Sequence, residues 1–248
     1  MAFGASDAPN ATLGALDATN ATLGRYLLPM AKARQVSGGG RAVEVPPERL
    51  DGFFVRFAER HGGITATEAG PDEVRVIAAD GSSATATVPF GPLREPSVAG
   101  LVAHGLVPRR IALLLVRLGG HSVGIARDGR IEVSRTDRHL VQGRSAAGGW
   151  SQQRFARRRA GQARHALQDA AKDAFEVLVP RLSEMDAVDA VVLGGDRRAL
   201  DELRGDRRLA PLFARAEPRV LDVGQPSRAV LEEAAVRALS VQVTLRDG

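Results

Sequence analysis

Hydrophobic and polar positions fall into short runs from residue 42 onward, and the period of the pattern changes along the chain. Val43 and Val45 stand two apart, as on one face of a strand, and Pro46-Pro47 then opens a segment in which Leu50, Phe54, Phe57 and Ala58 recur at helical spacing. Gly62-Gly63 ends it. Residues 64–67, 74–78 and 83–88 read as strands separated by the turn pairs Pro71-Asp72 and Asp80-Gly81, which predicts a meander. Residues 41–90 are therefore expected to form a small α+β domain. The stretch from Pro89 to Pro108 holds four prolines and three glycines, so 91–108 is expected as the linker to the next domain.

The second half, 109–248, opens with the uninterrupted apolar run 111–116, followed by 122–126 and by Asp128-Gly129, a tight-turn pair that leads into 130–134, where Ile131 and Val133 share a face. Three antiparallel strands in series follow from this. A loop over 135–150 is expected next, then a long helix from 151 to 179, ended by Pro180, with Phe155, Ala163, Leu167, Ala170, Ala174 and Leu178 as its apolar stripe. Beyond it, 188–193, 220–223 and 241–245 read as strands, and 197–203 and 228–239 as helices. A meander followed by alternating helices and strands predicts a mixed sheet with helices on its faces. The fold class is α/β (α+β), in an order that resembles the ribonuclease-H-like fold, preceded by the small α+β domain.

Length and composition narrow the classes. The chain has 248 residues, enough for two modest cores, and no run approaches the roughly 18 apolar residues of a membrane span. No membrane partner is expected, and the protein is expected in the cytosol. Residues 7–14 (DAPNATLG) and 17–24 (DATNATLG) repeat with a period of ten and carry little apolar material. Residues 1–40 are accordingly expected to be a disordered leader, or residues 1–29 to precede a true start at Met30. With no cysteine there are no disulfides or thiolate metal sites, and the five histidines lack ligand spacing. No metal and no other cofactor is expected.

Charge changes the picture most. Between Asp137 and His165 stand seven arginines against one acid, a surplus of six, while the whole chain carries +5, so the remainder sums to about −1. A basic excess confined to one segment is the footprint of a polyanion contact. The arginines are Arg138, Arg144, Arg154, Arg157, Arg158, Arg159 and Arg164. Four of them, Arg154, Arg157, Arg158 and Arg159, fall in the first turns of the predicted long helix, where the helix dipole disfavours cations by about 0.3 to 1 kcal/mol each. Stability alone does not place them there.

Residues 143–159 read GRSAAGGWSQQRFARRR. This stretch resembles the catalytic loop and following helix of the archaeal and eukaryotic class-one release factors, with Gly148-Gly149, Ser151 and Arg154-Phe155-Ala156-Arg157 in register. It is still more similar to the Vms-one-like release-factor family, in its actinobacterial branch, where a glutamine follows a serine. The resemblance covers 108–248. It implies a peptidyl-tRNA hydrolase that frees nascent chains on stalled ribosomes or large subunits, with the large subunit, its rRNA and peptidyl-tRNA as partners. Gly148, Gly149, Ser151, Gln152 and Gln153 are then the catalytic set. Arg144, Trp150, Arg154, Arg157, Arg158, Arg159 and Arg164 are the RNA-binding set. Trp150 holds the place of the release-factor glutamine, so Gln152, with Gln153 second, supplies the amide.

The residue chemistry agrees with that reading. Paired glycines permit positive φ and close backbone approach, and an amide carries donors and an acceptor with no titratable proton, so it orients water or an oxyanion without acting as a base. The bland readings are a flexible loop with Ser151 as helix cap, and Trp150 packed in a core. A metal-dependent nuclease needs clustered carboxylates, whereas Glu132, Asp196 and Asp222 fall on separate elements. Cleavage of the tRNA 3′ end and a non-catalytic ribosome- or RNA-binding rescue factor stand as the alternatives.

Overall fold

A computed structural model describes residues 34–36, 39–117, 119–138, 151–183 and 187–248, without the side chains of 151–160. Two sheets organise it. The first has the order β1-β2-β11-β5-β4-β3, with β1 at Arg34–Gln35, β2 at Arg41–Val45, β3 at Ile64–Ala69, β4 at Glu73–Ala78, β5 at Ser83–Thr87 and β11 at Val241–Arg246, every neighbour antiparallel. Helices α1 (Leu50–Arg60) and α2 (Val98–Gly105) cover one face, where Leu50, Phe54, Phe57 and Leu101 meet Val74, Val76, Ala84, Ala86 and Val243.

The second sheet has the order β10-β9-β6-β7-β8. Strands β6 (Arg110–Arg117), β7 (Gly120–Arg127) and β8 (Arg130–Arg138) form an antiparallel meander, and β9 (Ala190–Gly195) and β10 (Ala216–Leu221) add in parallel beyond β6. This is the ribonuclease-H-like arrangement the sequence predicted. The long helix α3 (Ser151–Val177), α4 (Arg197–Arg204) and α5 (Ala210–Ala214) lie on one face, and α6 (Arg228–Leu239) on the other. β6 shows why: Ala112, Leu114 and Val116 point to the α3 side and Ile111, Leu113 and Leu115 to the α6 side. A strand covered on both faces loses the polar alternation of a half-buried one. At the β7–β8 hairpin Asp128 and Gly129 both take positive φ, +50° and +77°, as a two-residue turn of the right twist requires.

Several expectations need correction. Residues 91–108, expected as a linker, contain α2, whose Leu101 is fully buried in the first core. The closing strand, read as part of the second sheet, instead lies in the first, between β2 and β5. β8 continues to Arg138, four residues into the expected loop, because it stays paired with β7 through Gly120. It is an edge strand with exposed polar residues there, so no apolar alternation marks it. Strand β10 begins at Ala216 and ends at Leu221, earlier than the predicted 220–223. Of the expected leader, 1–33 lie outside the described residues and Arg34–Gln35 form β1. Among the described residues no helix is long and apolar enough to cross a membrane.

Candidate functional site

The predicted site falls at the junction of β8 and α3. Arg144, Gly148, Gly149 and Trp150 lie outside the described residues. Ser151 opens α3, and Gln152, Gln153, Arg154, Arg157, Arg158 and Arg159 occupy its first turns as backbone, their side chains likewise outside the described set. Arg164 is exposed on the same helix. The backbone thus brings the two glutamines and the arginine run onto one helix start.

α3 has 27 residues, a length of about 40 Å. Its buried side chains, among those described, begin at Ala166 and continue with Ala170, Ala171, Ala174 and Val177, which with the following Leu178 pack on the second sheet. Fifteen residues precede Ala166, or about 22 Å of helix. The apolar stripe predicted for this helix holds at Ala170, Ala174 and Leu178, each 0% exposed, while Leu167 packs half-buried beside them and Phe155 lies outside the described side chains. A Pro180 turn, the 3-10 helix Val179–Leu182, follows.

Sequence reasoning missed a polar cluster under this helix. His121 on β7 is fully buried, and its Nε2 lies 2.9 Å from Oδ2 of Asp173 on α3. Arg135 on β8 donates through Nη1 to Asp173 Oδ1 at 2.8 Å and to Glu176 Oε2 at 2.6 Å. Burial works to raise the pKa of Asp173, but the hydrogen bonds from Arg135 and His121 outweigh it and hold the carboxyl below its ordinary value. The two carboxylates in turn raise the pKa of the Arg135 guanidinium. An ionised Asp173 only accepts, so His121 carries its proton on Nε2. His121 Nδ1 is a buried ring nitrogen with no partner among the described residues. Two signals were present in the sequence: Asp169, Asp173 and Glu176 at helical spacing, and a histidine inside the apolar strand 120–126. Neither matched a ligand or catalytic pattern. Among the described residues no group of three or more His, Asp or Glu could hold a metal ion.

With this geometry in place, the comparisons decide the family. A family model described as the Actinobacteria/chloroflexi VLRF1 release factor matches residues 109–244, more than half of the chain. The chain belongs to that family. The match begins at β6 and takes in the second sheet, α3 and most of β11. No curated protein matches the chain. Among solved structures, the archaeal translation termination factor aRF1 shows 18% identity and a TM-score of 0.41, covering 66% of this chain and 48% of that one. Archaeoglobus fulgidus Pelota gives 16%, 0.28, 85% and 66% on the same measures. Dom34 of S. cerevisiae, described as a translation termination-like factor involved in RNA quality control pathways and interacting with Hbs1, gives 8%, 0.26, 85% and 70%. This VLRF1-family chain thus spans about half the length of the archaeal termination factor, and at such identities the family model alone carries the assignment.

Proposed function

We propose that this protein is a ribosome-directed peptidyl-tRNA hydrolase, which frees nascent chains from tRNA on stalled ribosomes or large subunits in the cytosol. The observation that carries the reading is the VLRF1 family match across the segment GGWSQQRFARRR, where a glycine pair, a serine and two glutamines run directly into the arginine-rich start of α3. A helix that starts about 22 Å before the first buried side chain among those described suits delivery of a tip into a narrow RNA cavity.

In this mechanism Gly148 and Gly149 shape the tip and Ser151 begins the helix behind it. The Gln152 amide, or that of Gln153, orients the attacking water and holds the developing oxyanion at the peptidyl ester. The ester is an activated acyl group, so no general base of high pKa is needed in the protein. Arg154, Arg157, Arg158, Arg159 and Arg164 follow phosphates of ribosomal or transfer RNA, Arg144 adds a contact before the tip, and Trp150 stacks on a base.

The test is release of peptide from ribosome-bound peptidyl-tRNA by the wild type, Gln152→Ala and Gln153→Ala, with the tRNA 3′ end mapped. Loss of about 100-fold in one glutamine variant, with an intact CCA end in the wild-type product, is the expected result. A trimmed end assigns strand cleavage instead. Equal peptide release by both variants and the wild type removes the amide from the mechanism, and no release by the wild type leaves a binding factor.

A further inference from the structure

Among the described residues the core face of α3 is mostly alanine. Ala166, Ala170, Ala171 and Ala174 bring the helix close to the sheet with no long side chains to interdigitate, the half-buried Leu167 packs beside them, and the bulkier buried residues Val177 and Leu178 stand at its far end. A helix seated mainly on alanines has its direction fixed less firmly than one with interlocking long side chains. The tip magnifies any change of direction. Gln152 lies 21 residues before Asp173, about 32 Å along the axis, so a swing of about 10° displaces it by about 5 Å.

We propose that His121, Asp173, Arg135 and Glu176 form a positioning clamp that fixes the direction of α3 across the sheet and thereby the location of the glutamine tip; the inference rests on the function proposed above. Three features support it. The clamp ties α3 to the two outermost strands on that side, through His121 on β7 and Arg135 on the edge strand β8. Apolar packing from α4 and the Arg207–Leu209 turn also touches α3, and these hydrogen bonds add a directional restraint that such packing lacks. Arg135 also stands three residues before the end of β8, so it joins the two elements that flank the tip segment, β8 before it and α3 after it. Finally, a hydrogen-bonded ionic group in a core costs desolvation that an apolar residue avoids, and its best-attested return is a defined register between elements. His121 makes this bond while its Nδ1 stays buried with no partner among the described residues. A reacting group must be held within about 0.5 Å and 10 to 20° by the residues behind it. None of the four touches the tip, so they are positioning residues.

The chain has no cysteine, which permits site-specific labelling of the full-length protein. Spin labels at Gly161→Cys, where a Cβ meets nothing within 4 Å, and at the exposed Arg130→Cys report the angle between α3 and β8. One narrow distance distribution is expected for the otherwise wild-type protein. Asp173→Asn and Arg135→Gln should each broaden it or shift it by about 3 Å, the swing expected at Gly161 on a lever of 12 residues. Arg135→Lys, which keeps the charge on a more flexible stem but loses the planar guanidinium, should recover part of the narrow peak. In single-turnover peptide release the maximal rate should fall about 10- to 100-fold in the first two variants, while the half-saturating concentration stays within about twofold. A narrow, unshifted distribution in folded Asp173→Asn and Arg135→Gln proteins overturns the clamp. Should Asp173→Asn fail to fold, Arg135→Gln decides, since its side chain is 47% exposed and its removal leaves no cavity in the core. A wild type that releases no peptide, with the distance changes as expected, refutes the proposed function and leaves the clamp standing.

Discussion

Asp173 is 7% exposed and ionised, a combination that survives only because Arg135 and His121 both donate to it. Its carboxyl sits below the ordinary value of 3.8 in the folded protein, so its contribution to stability is fully present above that value and is lost as the pH falls through the lowered one. Urea titrations across the acid range should therefore show a declining limb below about pH 4, flattened in Asp173→Asn. A second residue-scale case is Gly195, at the turn from β9 into α4. Its φ is +102°, and a Cβ would stand 2.0 Å from the Val116 carbonyl oxygen. Both the dihedral and the backbone contact forbid a side chain. Gly195→Ala should destabilise by about 2 kcal/mol or more, read from the shift in the urea midpoint at constant slope.

At the scale of elements, α3 combines two halves with different determinants. Its second half is a helix because Ala170, Ala174 and Leu178 recur on the buried face. Its first half opposes the dipole with four arginines, and the cost is met if phosphates replace the missing negative charge. Replacing Arg157 and Arg158 together by glutamine should lower the salt dependence of large-subunit binding by about two in the slope of log K against log salt, with helicity unchanged or raised. The same contrast explains what the sequence made legible. Helix α6 has the bounds its periodicity predicted, 228–239, and Asp128-Gly129 is the hairpin it looked like, since each signal is local. Helix α2 was hidden by Gly100, Gly105 and flanking prolines. It forms because Ser97 caps Gly100 N at 2.9 Å and Leu101 fills the first core. The alignment of glutamines and arginines behind the glycine pair was legible because it is contiguous. The clamp was not: His121, Arg135 and Asp173 lie far apart in sequence, and only the sheet order brings them together.

At the scale of the molecule, the two sheets are joined by Glu44 of β2, which accepts from Arg219 of β10 at 2.5 Å and from Arg237 of α6 at 2.9 Å. Burial works to raise the pKa of Glu44, but Arg237 and Arg219 outweigh it and keep the carboxyl ionised. Glu44→Gln should cost about 1 to 3 kcal/mol, between the values for exposed and buried pairs, and differential scanning calorimetry should then resolve two transitions in place of one. β11 is a further joint, and it has a consequence in time. β2 and β5 do not pair with each other; each pairs with β11. A chain leaving the exit tunnel carries β2 to β5 out of the ribosome more than 150 residues before the strand that belongs at their centre. The first sheet is therefore among the last to close although most of its strands are made early, and a nascent copy halted anywhere before residue 241 would expose the inner edges of both half-sheets to chaperones and proteases.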